Sequence, residues 1–404
     1  MRTYPSQNPA GTLAIDTARG VTAARGFRAS GTTAGFKDSG TPDLALVVND
    51  GPQHAVAAVY TTNRISAAPV QWSRAVTADG KATAVVLNSG GANACTGAQG
   101  FQAAHRTAEL VGEALGTGAG DVVVCSTGLI GVQLPMDVME AGLAPAVEAL
   151  AADDAAGVAA ARAIMTTDSV PKLAAHEGGG WTVAGMAKGA GMLAPGLATM
   201  LVVLTTDAEV SSDALQWALQ DAVKVTFNRT DSDGCMSTND TVVLLASGAS
   251  GVRPDEFEFG QAVTAVCHSL AQQLIHDAEG AAHDIEITTV NAVTESQAED
   301  VSRSVARSNL FKTAIFGNDP NWGRVLSAVG TTDAAFDPDR IDVTINGVTV
   351  CRDGAIGDAR EGVDLAADRR VTVLIDLKAG DADATVWTND LTHDYVEENS
   401  AYST

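Results

Sequence analysis

Residues 182–208 read TVAGMAKGAGMLAPGLATMLVVLTTDA, and this segment holds the pattern that decides the fold. A stretch rich in glycine and proline leads directly into the apolar run from Met200 to Leu204. An apolar run of this length, bounded by turn residues and polar residues, predicts a buried β-strand. The sequence therefore predicts a loop that leads into a core strand, with Thr199 as the first residue of that strand.

The segments that precede this loop predict strands and helices in alternation. Strand patterns separated by turn residues occupy residues 43–50, 54–61, 68–75, 82–90 and 121–128. Apolar residues at helical spacing predict helices over residues 102–115 and 136–150. This alternation is typical of an α/β enzyme.

The segments that follow the loop predict three helices and then a set of paired strands. The helices are predicted over residues 213–225, 257–278 and 297–311, and Thr294 and Gln297 have the spacing of a capping box. Strand pairs are predicted over residues 340–350, 369–377 and 384–391, with Asn346 and Gly347 as a hairpin turn. The polar tail, residues 396–404, has the composition of a frayed end.

Composition limits the function classes. The 25 basic and 49 acidic residues give a net charge of -24, which argues against binding to nucleic acid or to an anionic membrane. With 46% hydrophobic and 18% charged residues, the chain has enough apolar material for a large core. The length of 404 residues suggests about two or three domains.

The cysteines and the N-terminus indicate a cytoplasmic protein. Five scattered cysteines without a C-x-x-C pair predict neither a disulfide framework nor a zinc site, and they fit a reducing compartment. The N-terminus lacks the apolar core of a secretory signal, and no run of about 18 apolar residues is present.

Several familiar catalytic motifs are missing. The seven histidines form no H-x-x-x-H pair with a supporting glutamate, and no G-x-S-x-G or Walker A sequence occurs. Gly189 and Gly191 resemble the start of a dinucleotide-binding loop, but Pro195 and a strand follow where that loop requires a helix. Metalloprotease, α/β-hydrolase and nucleotide-binding mechanisms therefore lack their sequence signatures.

Thr199 is a candidate nucleophile. Attack of its hydroxyl on the preceding carbonyl would give an N→O acyl shift, and hydrolysis of the ester would cut the chain between Ala198 and Thr199. The α-amine released has an ordinary pKa of about 7.7–8.0 and can deprotonate the hydroxyl of its own residue. The alternative is an ordinary strand residue, because threonine favours strands.

Four further segments carry groups that could serve such a nucleophile. Thr127 and Gly128 end a predicted strand, where backbone N–H groups can face a developing oxyanion, although an ordinary turn is the alternative. Lys188 could bind a carboxylate or could be a surface lysine. Residues 88–93, NSGGAN, could form an anion-binding nest or a plain turn. Residues 319–324, DPNWGR, could be a functional loop or a packed corner.

Seven strings occur in collinear order from about Gly26 to the C-terminus. They are NSGGANACTG, CSTGLIG, AIMTTD, MAKGAGMLAPGLATML, STND, KTAIFGNDPNWGR and YVEENSAYS. Together they resemble the ornithine acetyltransferase family of arginine biosynthesis.

The resemblance implies a self-cleaving precursor. Cleavage at Ala198/Thr199 would give an α chain, residues 1–198, and a β chain, residues 199–404, which remain together as an α2β2 heterotetramer. The terminal threonine would take the acetyl group from N-acetyl-ornithine and pass it to glutamate by a ping-pong mechanism. No cofactor is implied, and acetyl-CoA would enter as a second acetyl donor. The implied fold is an α/β layered sandwich of mixed sheets and helices with a smaller C-terminal lobe, similar to that of the self-processing β-aminopeptidases.

The resemblance also implies roles for individual residues. Thr199 is the nucleophile, and Thr127 and Gly128 form the oxyanion hole. The substrate contacts are Thr166, Lys188, Thr199, Glu279, Asn399 and Thr404. The substrates share an α-carboxylate, which Lys188 can pair, and a nitrogen that Glu279 can attract. The polar tail is then expected to fold into the site.

The chain departs from the family pattern at Gly196, where members often have asparagine or serine, and residues 1–20 match no motif. Two alternatives remain. An aminopeptidase or amidase would use the same cleaved threonine with water as acceptor. A non-catalytic scaffold would retain the fold, but the A-T-M and CSTG strings argue against it.

Overall fold

The computed structural model describes residues 13–194 and 200–401 of the chain. Its strands are β1 (Phe27–Thr32), β2 (Leu44–Asn49), β3 (Ala55–Tyr60), β4 (Ala84–Ser89), β5 (Val122–Thr127), β6 (Lys172–Glu177), β7 (Thr182–Lys188), β8 (Leu201–Thr206), β9 (Thr241–Ala246), β10 (Asp284–Ala292), β11 (Asp342–Ile345), β12 (Val348–Arg352), β13 (Ala355–Ile356), β14 (Arg370–Asp376) and β15 (Ala382–Asn389). Its helices are α1 (Ala68–Val76), α2 (Gly97–Leu115), α3 (Met136–Glu148), α4 (Asp154–Ala163), α5 (Ser212–Val225), α6 (Glu256–His276), α7 (Glu295–Ala306), α8 (Asn309–Phe316), α9 (Trp322–Val329) and α10 (His393–Ala401).

These strands form three mixed sheets. The first sheet has the order β1-β2-β4-β5, in which β4 and β5 are parallel. The second has the order β3-β9-β8-β7-β6, in which β8 and β9 are parallel and the other neighbours are antiparallel. The third has the order β13-β12-β11-β14-β10-β15 and contains the predicted strand pairs of the C-terminal region.

The first two sheets stack face to face between helices. Alternate residues of their strands point into a shared core. This core includes Val47, Val85, Val123, Met186, Val203 and Val243. The outer face of the first sheet packs against α2 and α3, and the outer face of the second packs against α5 and α6. The result is the predicted layered sandwich of mixed sheets and helices.

The C-terminal lobe has a core of its own. The third sheet packs against α7, α8 and α9 around buried residues such as Val301, Phe311 and Val373. The turn at Asn346 and Gly347 joins β11 to β12 with positive φ at both residues, as the predicted hairpin requires.

Two of the predicted elements, residues 68–75 and 297–311, have a different structure from the one predicted. Residues 68–75 are helix α1 and not a strand, because Pro69 lies in its first turn and buried Val70, Ser73 and Val76 recur at helical spacing. The helix predicted over residues 297–311 is two helices, because Ser308 caps α8 through a hydrogen bond from the Phe311 amide at 3.3 Å.

The described part of the polar tail belongs to helix α10, His393–Ala401. Thr392 accepts a hydrogen bond from the Tyr395 amide at 2.9 Å and donates to the carbonyl of Gly280. The composition of the tail favoured a frayed end. Helix α10 is therefore stabilised by its contacts with the rest of the protein and not by its own sequence. Across the described ranges, no helix is both long enough and apolar enough to cross a membrane.

Candidate active site

Lys188 lies where three strands of the second sheet come together. It is the last residue of β7 and pairs with Leu201, the first residue of β8. Leu201 in turn pairs with Thr241, the first residue of β9. Thr199 lies outside the described residues, as do Ala198 and Thr404. The strand register nevertheless brings Lys188 opposite a residue only two positions after the predicted nucleophile.

The segment before β9 anchors the start of β8. The Met200 amide donates to Oδ1 of Asp240 at 3.0 Å. Asp240 is fully buried, and burial raises its pKa well above the ordinary value, more than its hydrogen bonds and Lys188 lower it. No sequence pattern predicted a role for this residue, although it belongs to the STND string.

The first sheet contributes the end of β5. The carbonyl of Thr127 accepts hydrogen bonds from the amides of Gly90 and Gly91, at 2.9 and 3.0 Å. Gly128 has φ of +126°, and a Cβ atom there would lie 2.7 Å from the backbone of Gly90 and Gly91. Only glycine fits both conditions. The amides of residues 90 and 91 are thus used within the protein, which favours a turn over an anion-binding nest.

Asn239 connects the two sheets at this point. Its Nδ2 donates to the carbonyl of Ser126 at 2.8 Å and to the carbonyl of Ala92 at 2.6 Å. Ser126 also donates from its hydroxyl to Oδ1 of Asn88 at 2.6 Å. Asn239 therefore fixes the end of β5, a role that the sequence alone did not indicate.

Lys188 is almost fully buried, with 1% of its surface exposed. Its Nζ donates to Oγ1 of Thr166 at 2.7 Å and to Oγ1 of Thr127 at 3.4 Å. Burial lowers the pKa of Lys188, and the carboxylate of Asp168, 3.9 Å from Nζ, opposes that shift. The surface-lysine alternative is therefore wrong.

Asp168 interacts with two buried lysines, Lys188 and Lys172. It accepts hydrogen bonds from the Gly189 amide and from Nζ of Lys172, both at 2.6 Å. Lys172 also donates to Asp277 at 2.5 Å. Burial alone would raise the pKa of Asp168, but Lys188 and Lys172 outweigh it and hold the pKa below its usual range. The Asp168 carboxyl group therefore lies between the two buried lysines, 3.9 Å from Nζ of Lys188 and 2.6 Å from Nζ of Lys172.

Glu279 joins the tail to the site. Its backbone amide donates to the carbonyl of Ala190 at 3.0 Å, and its Oε2 accepts from Nδ2 of Asn399 at 2.9 Å. A Cβ atom at Gly191 would lie 2.5 Å from the Glu279 carboxyl carbon. Glycine at position 191 thus leaves room for the carboxylate.

A cleft of about 110 Å³ lies between these groups. The predicted site residues that line it are Thr127, Gly128, Thr166, Lys188, Glu279 and Asn399. They come from both stacked sheets, from three loops and from the tail helix. Ser237, Thr238 and Asn239 also line the cleft, although no sequence pattern predicted a role for these three residues.

The loop of residues 319–324 is a packed corner of the C-terminal lobe. Asn321 caps α9 by accepting a hydrogen bond from the Arg324 amide at 3.3 Å. Trp322 packs against the core of the lobe. Arg324 donates to the carbonyl of Leu310 at 2.5 Å. Each distinctive residue of the loop therefore has a structural role.

Fold and cleft together define an enzyme with a buried cation beside two threonine hydroxyls. The model of the ArgJ family matches residues 28–404. The arginine biosynthesis bifunctional protein ArgJ of Streptomyces coelicolor is 63% identical over 95% of this chain and 99% of its own length. That of Thermobifida fusca is 60% identical over 95% of this chain and its full length. The crystal structure of an ornithine acetyltransferase complexed with ornithine from Mycobacterium tuberculosis is 53% identical, covers 47% of this chain and all of its own, and has a TM-score of 0.45.

The chain belongs to the ArgJ family. The resemblance that the seven strings predicted is confirmed. The chain is an acetyltransferase of arginine biosynthesis, as that resemblance implied.

Proposed function

We propose that the chain transfers the acetyl group of N2-acetyl-L-ornithine to L-glutamate through an acetyl ester on Thr199. Ornithine is released and N-acetylglutamate is regenerated. The observation that carries this proposal is the convergence of six predicted site residues on one cleft. A buried ammonium and two hydroxyl groups at this cleft suit a small substrate with a carboxylate and an acyl group.

The nucleophile arises by self-cleavage between Ala198 and Thr199. The products are the chains of residues 1–198 and 199–404, which assemble as α2β2. The α-amine of Thr199 then serves as the base for the hydroxyl of the same residue. No cofactor takes part in these steps.

In the donor half-reaction, the Thr199 hydroxyl attacks the acetyl carbon of N-acetyl-ornithine while its proton passes to the α-amine. The oxyanion accepts hydrogen bonds from the Thr127 hydroxyl and the Gly128 amide. Since Lys188 approaches Oγ1 of Thr127 as a donor, the hydroxyl proton of Thr127 remains available to the oxyanion. The C–N bond then breaks, the α-ammonium returns its proton to the leaving nitrogen, and the acetyl ester remains.

In the acceptor half-reaction, the amine of glutamate attacks the ester carbon. Its proton passes to the α-amine of Thr199 and from there to the departing hydroxyl oxygen, so atoms and charges balance. Lys188 and Thr166 hold the α-carboxylate of either amino acid. Glu279, Asn399 and Thr404 hold the far end of N-acetyl-ornithine and close the cleft.

Acetyl-CoA is proposed as a second acetyl donor to the same threonine. The related proteins are named bifunctional, which supports two activities at one site. Both donors would pass through the same acetyl ester, so glutamate would be the shared acceptor.

Denaturing mass spectrometry of the purified protein tests this proposal. We expect two chains divided at 198/199, and a β chain heavier by one acetyl group after incubation with N-acetyl-ornithine alone. Thr199→Ala should remain intact and inactive. A single intact chain in active material, or transfer by the Thr199→Ala variant, would contradict the proposal.

A further inference from the structure

A second and larger cavity adjoins the candidate cleft. It has a volume of about 340 Å³ and lies between the C-terminal lobe and the tail helix. Its lining includes Ser232, Asp233, Glu279, Arg307, Lys312 and Tyr395. We call it the Lys312 pocket. The seven strings include Lys312, in KTAIFGNDPNWGR, but its role was left open.

Lys312 is a buried cation without a close counterion among the described residues. Only 6% of its surface is exposed. Its Nζ donates to the carbonyl of Ser232, and no other hydrogen bond from it is formed within the described ranges. An ammonium group has three N–H donors, so two of them form no hydrogen bond to the described residues.

The carboxylates near Lys312 are committed to other groups. Asp390 accepts from the amides of Ala282 and His283 with one oxygen and from the His283 ring with the other. Asp233 accepts from the amides of Met192 and Cys235. Neither forms an ion pair with Lys312.

Arg307, the second cation that lines the pocket, is paired with a carboxylate. Arg307 donates from Nε to Oδ2 of Asp231 at 2.7 Å, and that oxygen also accepts from Arg303. Burial lowers the pKa of Lys312, although Asp233 and the other carboxylates oppose that shift. Because a buried charge is costly unless it is paired, the pocket is suited to an anionic ligand group.

The Lys312 pocket and the candidate cleft share a wall. Glu279 lines both cavities. Met192 lines the cleft, and its amide donates at 2.6 Å to Asp233, which lines the pocket. A substrate whose α-carbon lies in the cleft therefore has the Lys312 pocket on the other side of Glu279.

We propose that the Lys312 pocket binds the side-chain carboxylate of the acceptor amino acid, with Lys312 as its cationic partner. This inference rests on the proposed function, because it assigns the side-chain subsite of the same reaction. Ornithine ends in an ammonium group, which gains nothing from Lys312. Lys312 thus acts in the acceptor half-reaction and selects glutamate over neutral amino acids.

The variant Lys312→Met tests this role, because it removes the charge and retains an unbranched buried side chain. The ratio of kcat/KM for glutamate to that for glutamine should fall by about 100-fold, mainly through KM for glutamate. The burst of ornithine released from N-acetyl-ornithine without acceptor should change by less than about threefold. Lys224→Met is the matched control, because Lys224 is 59% exposed and pairs with Glu295 on the surface.

Self-cleavage of each variant is checked first by denaturing mass spectrometry. If Lys312→Met is not processed, Lys312→Gln replaces it, and failure of both to process would overturn the proposal in favour of a folding role. An unchanged glutamate-to-glutamine ratio, or an equal loss in both half-reactions, would also overturn it. Absence of acetyl transfer in the unmodified enzyme would instead contradict the proposed function.

Discussion

Oδ1 of Asp240 lies 3.0 Å from the backbone nitrogen of Met200, the residue that directly follows Thr199. This hydrogen bond joins the residue directly before β8 to the residue directly before β9. The amide of Met200 is three main-chain bonds from the nitrogen of the predicted scissile bond. The buried carboxyl group of Asp240, directly before β9, thus fixes the residue that follows the predicted nucleophile.

Replacement of Asp240 should impair processing according to whether an acceptor remains. Asp240→Ala leaves the buried Met200 amide without a partner, which costs about 1–3 kcal/mol, and self-cleavage should slow at least about tenfold. Asp240→Asn retains an acceptor oxygen and should lose less. The measurement is the fraction of intact chain over time after synthesis. Equal processing rates in the alanine variant and the unmodified chain would contradict this prediction.

The pH dependence of catalysis should report the charge of Lys188. Burial lowers the pKa of Lys188, so its ammonium is lost at a lower pH than that of a free lysine. Binding of the α-carboxylate needs the charged form, so kcat/KM for N-acetyl-ornithine should fall as pH rises through this lowered pKa. Asp168, Lys172, Glu279 and Asp240 are the charged groups that set its position.

N-acetylputrescine provides the control for the Lys188 prediction, because it is the same donor without the α-carboxylate. Its slower reaction should lack the alkaline decline assigned to Lys188. Lys188→Met should raise KM for N-acetyl-ornithine by about 100-fold and leave N-acetylputrescine nearly unaffected. The same alkaline limb with both donors would show that another group is responsible.

Gly128→Ala should damage both the fold and the reaction. The added Cβ would meet the backbone of Gly90 and Gly91 at 2.7 Å, and φ of +126° is strained for alanine. We expect a loss of about 2–4 kcal/mol in the free energy of unfolding and a decrease in kcat of at least about 100-fold. Gly131→Ala is a suitable control, because it also has positive φ but no atom within 4 Å of the added Cβ. Comparable kcat values for the two variants would argue against an oxyanion role for residue 128.

The tail helix should contribute to substrate binding through Asn399. Asn399→Ala removes the hydrogen bond to Glu279, so KM for N-acetyl-ornithine should rise about tenfold while kcat changes less. Deletion of residues 399–404 should have a larger effect in the same direction. Glu397→Ala lies on the exposed side of the same helix and should leave the kinetics unchanged. Steady-state assays of the three variants decide the point, and unchanged kinetics in the truncated chain would exclude closure of the cleft by the tail.

The layered fold was predictable because its strands carry strong local patterns. The residues of β2, β4, β5 and β8 are buried throughout. Their apolar runs therefore predict strands without knowledge of the surrounding structure. Residues 68–75 gave the wrong element, because eight residues are too few to separate periods of 2 and 3.6. The break between α7 and α8 depends on the cap at Ser308, which the apolar pattern does not reveal.

The residues of the cleft could be predicted only where they belong to a recognisable motif. Thr127, Gly128 and Lys188 each had an ordinary alternative, and the resemblance chose between them. Asn239 acts through two hydrogen bonds to carbonyls distant in sequence, at Ala92 and Ser126. Such a role follows from tertiary geometry alone, so no local pattern could have indicated it.

The pairing of β7 with β8 has a consequence for the mature enzyme. A cut between residues 198 and 199 would place these adjacent strands on different polypeptides, and β3 would likewise pair with β9 across the two products. The second sheet would then contain strands from two polypeptides. The interface between the two polypeptides would be a hydrophobic core. Their dissociation would therefore unfold the protein, and neither polypeptide should be stable and folded by itself.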